Sequence, residues 1–243
     1  MLKNYKMLLS YDGTDYHGWQ RQPDRKTVQG LLEDSLAKIT QKKIHIFGAG
    51  RTDAGVHAQE QVANFKASLS IKEEELLRAL NSLLPQDARI ASLEKTDMDF
   101  HARKMAKSKI YQYRIFNSPN ISPFLHRYVL QWSSPLNVNL MKKAAPLFIR
   151  EADFTPFSSN RLLNPVRKIF LSHIEKKGDE VIYTVEANGF LRYMVRTIVG
   201  TLLEIGRGKI SPEEIEEIFR KQKRSLAGPT APAKGLCLIK VNY

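Results

Sequence analysis

The sequence predicts an α+β protein built from two halves of similar content. Three observations carry this. Apolar residues recur at helical spacing in segments such as "TVQGLLEDSLAKIT" and alternate with polar ones in "KIYQYRIF", so helices and half-buried strands are both present. The order reads strand, helix, strand, loop, strand, helix, strand, and a second series of similar content follows. A chain of 243 residues, 42% of them hydrophobic, fills one large core or two small ones. The break is expected near residues 102–108, which gives an N-terminal half, 1–105, and a C-terminal half, 106–243.

The first strand is expected around "KMLLSYD". "TVQGLLEDSLAKIT" then places Val28, Leu31, Leu32, Leu36 and Ile39 on one helical stripe. In "SIKEEELLRALNSLL", Ser70 and Glu73 stand in capping-box register and Pro85 stops the helix. "KIYQYRIF" turns Tyr111, Tyr113 and Ile115 to one face of a strand. "IFLSHIEKKGDEVIYTVEA" reads as a hairpin turning at Lys177-Gly178-Asp179, and Asn188-Gly189 turns the chain again. The helix expected in "FLRYMVRTIVGTLLEIGRG" carries Leu191, Met194, Val195, Ile198, Leu202 and Ile205 and ends at Gly206. Ser211, Pro212 and Glu214 fit N-cap, N1 and N3 of a last helix, and "GLCLIKVNY" closes the chain as a strand.

Composition narrows the function. One cysteine, Cys237, excludes an internal disulfide framework and a multi-cysteine zinc site, and its place in "GLCLIKV" reads as a small buried hydrophobe. The first residues hold no apolar signal-peptide core, and no apolar run reaches membrane-spanning length, so the expected location is the cytoplasm. A formal charge of +13, from 38 Lys and Arg against 25 Asp and Glu, points to a polyanionic partner. Basic residues interleave with aromatics in "HARKMAKSKIYQYR" and "GFLRYMVR", a pattern that suits phosphate contacts together with base stacking.

The segment "FGAGRTDAGVHAQEQVANF", residues 47–65, sets a single carboxylate, Asp53, between Arg51 and His57 among Gly48, Gly50 and Gly55. Glycines let the backbone turn sharply, which places Asp53 on a tight loop. Asp53 either caps that turn or presents a reacting carboxylate. A dinucleotide fingerprint is excluded because Asp53 occupies its third glycine position and would repel a pyrophosphate. Asp53 with His57, and Asp97 with Asp99 and His101, lack further metal ligands nearby, and no G-x-S-x-G elbow is present.

The blocks "YDGTDYHGWQRQPDRKTVQGLLE", "GRTDAGVHA", "FHARKMAKSKIYQYRI", "FLRYMVRTIVGTLLEIGRG" and "TAPAKGLCL" resemble, in order and over nearly the whole chain, the motifs of the TruA family of tRNA pseudouridine synthases. The resemblance implies a pseudouridine synthase fold, with two α+β halves around a basic cleft, in which 1–105 carries the aspartate loop and 106–243 completes the site. It implies that Asp53 is the catalytic aspartate and that Arg196 pairs with it. Tyr111 is implied to stack on the target base, and Arg51, His57 and Arg103 to contact the substrate. A homodimer, no cofactor, no metal, and tRNA as the partner are implied too, with uridines 38, 39 and 40 of the anticodon arm as targets. The chain departs from the family at Ala152, where a histidine commonly precedes Asp153-Phe154, at Pro146, which interrupts a helix, and in a short segment at 158–164.

Such an enzyme breaks the C1′–N1 bond of a uridine, turns the uracil and rejoins it through C5. No atoms enter or leave. The base must first leave its stack, a cost of a few kcal/mol offset by stacking on a side chain and by phosphate contacts. A carboxylate then serves as a nucleophile, or as the base that removes a sugar proton; the residue types suit both routes. The competing class is an RNA-binding protein without chemistry, in which Asp53 is a turn residue.

Overall fold

A computed structural model describes residues 1–159 and 163–243. The chain forms two compact units, one of Met1–Lys107 with Leu238–Tyr243, the other of Ser108–Cys237.

In the first unit, β1 (Lys3–Tyr11) is paired antiparallel on both sides, with β3 (His57–Ala67) and β4 (Ala88–Thr96). Between β1 and β3 come α1 (Val28–Thr40) and the short β2 (Ile46–Gly48), which pairs with β3. α2 (Glu73–Leu83) joins β3 to β4. The other edge of β3 takes the chain's last strand. Tyr5, Met7, Leu9 and Tyr11 are buried, as alternation along a strand with one core face requires.

α1 begins where the sequence places it. Thr27 is the N-cap, its side chain accepting from the Gly30 N–H, and Val28, Leu32 and Leu36 are buried while Leu31 and Ile39 are half-buried. Its buried Glu33 accepts from the Ile46 N–H at 3.1 Å and so ties the start of β2 to the helix. α2 differs from the expected start. Its N-cap is Lys72, with no side-chain cap bond, and Ser70 lies outside the helix. Glu73, Glu74 and Glu75 in the first turn favour this end through the helix dipole instead.

In the second unit, β5 (Ser108–Phe116) carries β6 (Leu130–Gln131) in parallel at its end; α3 (Val138–Ala144) and β7 (Glu151–Asp153) follow. β8 (Val166–Lys177) and β9 (Glu180–Ala187) form the expected hairpin, turning through Gly178-Asp179, and β9 pairs with β5. Tyr111, Tyr113 and Ile115 are all buried on one face of β5. Pro146 ends α3 as expected, and the chain continues as a 3-10 turn, Ala145–Phe148. Beyond Ala152, Phe154 and Phe157 are fully buried and close on Phe148 and Phe219. Of the short 158–164 segment, residues 160–162 lie outside the described residues.

α4 (Met194–Gly206) starts later than its apolar stripe suggests, because Leu191 is buried in the turn before it. β9 ends at Ala187 and the chain bends at Asn188, as expected. The bend is fastened to β8, the Asn188 backbone N–H donating to the Lys168 carbonyl at 3.1 Å and its side-chain oxygen accepting from the Lys168 N–H at 3.0 Å. α5 (Glu214–Lys221) differs from the expected start: its N-cap is Glu213, with no side-chain cap bond, and Ser211 lies in the turn before it, its N–H donating to the Glu214 carboxylate at 2.6 Å. The closing strand is β10 (Leu236–Asn242). No helix among the described residues is long and apolar enough to cross a membrane.

Candidate active site

The first unit builds the Asp53 loop between β2 and β3. Asp53 opens a four-residue turn closed by the Val56 N–H on the Asp53 carbonyl at 3.1 Å, with Gly55 at φ +79° in the third position of a type II turn. Asp53 itself is half-buried, and Arg51 is exposed. The connection between β1 and α1 packs against this turn. Trp19 donates its N–H to the Thr52 carbonyl at 3.0 Å, and Gly55 donates to the Tyr16 carbonyl at 3.2 Å. Backbone lies on backbone here: a Cβ at Gly18, whose φ is +84°, would stand 2.5 Å from the Thr52 oxygen, and one at Gly13 would overlap the Val56 carbonyl.

Side chains fix the loop from the sheet. Tyr11 and Thr52 share a hydroxyl–hydroxyl bond of 2.8 Å, and Gln61 donates to Tyr11 at 3.4 Å and to the Gly50 carbonyl at 3.0 Å. His57 is buried; its Nδ1 accepts from the Gly13 N–H at 3.0 Å and lies 3.1 Å from Asp12 Oδ1. The bonds of His57 join the two loops that frame Asp53, which is a supporting place rather than an exposed one.

Arg103 is exposed on the segment after β4. A buried amide pair holds that segment: Asn64 accepts from the Ala102 N–H at 2.9 Å and donates to Asn4 at 3.1 Å, and Asn4 donates to the carbonyls of Asp97 and Phe100. The Tyr243 hydroxyl donates to the Ala102 carbonyl at 2.8 Å. Burial, then the charges of Lys104 and Arg103, hold the His101 imidazole below its usual range. Among the described residues no group of three or more His, Cys, Asp or Glu is placed to hold a metal ion.

The second unit carries Tyr111 and Arg196. Tyr111, on β5, is 6% exposed and meets Phe190 edge to face at 5.1 Å. Arg196, in the first turn of α4, donates from Nε to the Ala231 carbonyl at 2.7 Å, and its guanidinium lies 4.9 Å from the Tyr193 ring. Tyr193 holds φ +64°, the left-handed region a tyrosine rarely enters, and the Arg192 guanidinium also stands 4.9 Å from its ring. Tyr193, Ala231, Thr52 and Tyr11 were not singled out from sequence. The available signals were the glycine pairs in "DGTDYHG" and "GPTAPAKG", which mark close backbone approach.

The first unit holds a carboxylate on a backbone-locked loop, and comparison with known proteins gives the class to which this chain belongs. The model of the tRNA pseudouridine synthase family matches residues 7–103 and 144–243, and the chain belongs to that family, whose members are isomerases. The chain is 45% identical to tRNA pseudouridine synthase A of Brevibacillus brevis over 244 aligned residues, covering 100% of both chains. The enzymes of the same name from a Thermoanaerobacter species and from Acetivibrio thermocellus are each 43% identical, again over 100% of both chains. Among solved structures, a Cbf5-Nop10-Gar1 complex covers 96% of this chain and 57% of its own at 12% identity and a TM-score of 0.33, too low a likeness to inform the fold.

Proposed function

We propose that this protein isomerises uridine to pseudouridine at positions 38, 39 and 40 of the tRNA anticodon arm, with Asp53 as the catalytic carboxylate. The observation that carries this is the Asp53 turn, where the residues on both sides are bonded to a second loop by main-chain hydrogen bonds. A reacting group must be held to within a fraction of an ångström, and a turn locked on its neighbours' backbone does so. Arg196 supplies the counter-charge that keeps the carboxylate ionised, and Tyr111 contacts the flipped base. Exposed Arg51 and Arg103 take phosphates, and His57 supports the substrate side of the loop. Residues 1–105 carry the aspartate and 106–243 the residues that complete its site.

The protein works in the cytoplasm as a homodimer. Val166, Phe170 and Leu171 on β8 and Ile149 beside β7 leave apolar surface exposed on the second unit, which supports an assembly. Light scattering at micromolar concentration is expected to return twice 27.8 kDa; a mass of 27.8 kDa throughout counts against the dimer. The decisive assay incubates unmodified tRNA with the protein and maps carbodiimide-reactive pseudouridine. Modification confined to the three anticodon-arm positions is expected, and a product map without them overturns the substrate assignment.

A further inference from the structure

Along α4, Arg196, Thr197, Gly200 and Thr201 face the chain segment 227–231. The Gly228 N–H donates to Thr201 Oγ1 at 2.9 Å, Thr230 and Thr197 bring their hydroxyls to 3.3 Å, and the Ala231 N–H donates to the Arg196 carbonyl at 3.0 Å. A Cβ at Gly200 would overlap the Pro229 carbonyl, so this segment lies directly on the helix backbone. The same segment supplies the Ala231 oxygen that receives Arg196 Nε.

Arg224 holds that segment from its other side. Its Nη1 donates to the carbonyls of Gly228 at 2.9 Å and Ala227 at 3.3 Å, and its Nη2 to Thr230 Oγ1 at 3.3 Å. Thr230 therefore bridges Arg224 to Thr197 on the helix. Among the described residues the Arg224 guanidinium meets carbonyl and hydroxyl oxygens and no carboxylate, and burial lowers its pKa. A half-buried cation without an anion is retained at a cost. A planar guanidinium answers two carbonyls and a hydroxyl at once, which an ammonium does not.

We propose that Arg224 is a positioning residue for Arg196: it buckles the 227–231 segment onto α4 so that the Ala231 carbonyl sets the plane of the Arg196 guanidinium. This rests on the reading of Arg196 as part of the active site. Arg224 also borders a cleft of about 410 Å³ lined by Thr155, Ser158, Ser159, Gln222, Lys223 and Ser225, where a phosphate of bound RNA is the rival partner. Positioning is favoured because both terminal nitrogens already donate within the protein.

The test measures kcat and KM on unmodified tRNA for Arg224→Met and Arg224→Lys, with circular dichroism melts as the fold control. Single-turnover rates, with enzyme in excess, are compared for Arg196→Met, Arg224→Met and the double variant. Arg224→Met is expected to lower kcat about 10- to 100-fold with KM within about twofold, since a small misplacement of a reacting group costs that much. Arg224→Lys should recover part of the loss. In the Arg196→Met background the second substitution should cost nothing further, the mark of two residues acting through one group. Additive losses, an unchanged kcat, or a raised KM with a flattened salt dependence overturn the proposal. If Arg224→Met does not fold, Thr230→Val, which removes the bridging hydroxyl, carries the same comparison with the same expected and overturning results. An active Arg196→Met refutes the reading of Arg196 itself, whereas an inactive Arg196→Met beside a fully active Arg224→Met refutes only the role of Arg224.

Discussion

At Asp53 the choice between a turn residue and a reacting carboxylate reduces to one charge. Asp53→Asn keeps the side chain's size and its ability to cap a turn, so the loop should fold unchanged. Turnover should fall by several orders of magnitude, while tRNA binding persists because phosphate contacts dominate affinity. A filter-binding assay beside the modification assay checks both; near-normal pseudouridine formation overturns the catalytic role. The loop's sharpness is legible in the sequence because Gly55 stands two positions from Asp53, and turn chemistry is local. What anchors it is not. Tyr11 reaches Thr52 across 41 positions and Gln61 reaches Tyr11 across 50, contacts that exist only once β1 and β3 pair. Arg224 was silent for a different reason: its acceptors are mostly main-chain carbonyls, which every residue has.

Among the elements, the crossing of the two loops is the most exacting. Gly13→Ala forces a methyl group into the Val56 carbonyl, and neither backbone can retreat without moving the Asp53 turn. The variant should lose about 1–3 kcal/mol of stability by denaturant titration, in the usual range for overpacking, and lose activity out of proportion to that change. A melt equal to the parent's would show that the loops are looser than drawn. α5 supplies a pH test. Arg150 bonds both oxygens of Glu216, one from Nη1 at 3.0 Å, and holds this carboxyl below its ordinary value of 4.5. A carboxyl with a lowered folded pKa adds stability above its unfolded pKa and loses it as the pH falls through the folded one. Glu216→Gln should therefore melt below the parent at pH 7, and the two curves should converge below pH 4.5. The side chain of Glu216 is 58% exposed, so the gap should be about 0.2–1 kcal/mol. α1 announces its start through Thr27, which bonds as a cap residue does, whereas Ser70 and Ser211 have the right spacing but α2 and α5 start too late to be capped by them.

For the molecule as a whole, an excess of 13 positive charges predicts that tRNA affinity falls steeply with salt. Each phosphate contact adds about 0.7–0.9 to the log–log slope, so replacing exposed Lys107 by Ala should flatten it by at most about one contact and leave turnover at saturation alone. A flat salt dependence for the parent refutes the polyanion argument. The α+β class and the order of most elements were legible because their apolar periods are local. That Leu238–Tyr243 returns to the first unit was not, since strand order is set by long-range pairing. That return has a consequence during synthesis. Residues 1–107 leave the ribosome on the order of ten seconds before Leu238–Tyr243, at the usual pace of translation. Until then the stretch of that β3 edge which β2 does not cover stays unpaired, Ala102 lacks the Tyr243 hydroxyl, and the nascent first unit offers a short open edge to a neighbour's strand.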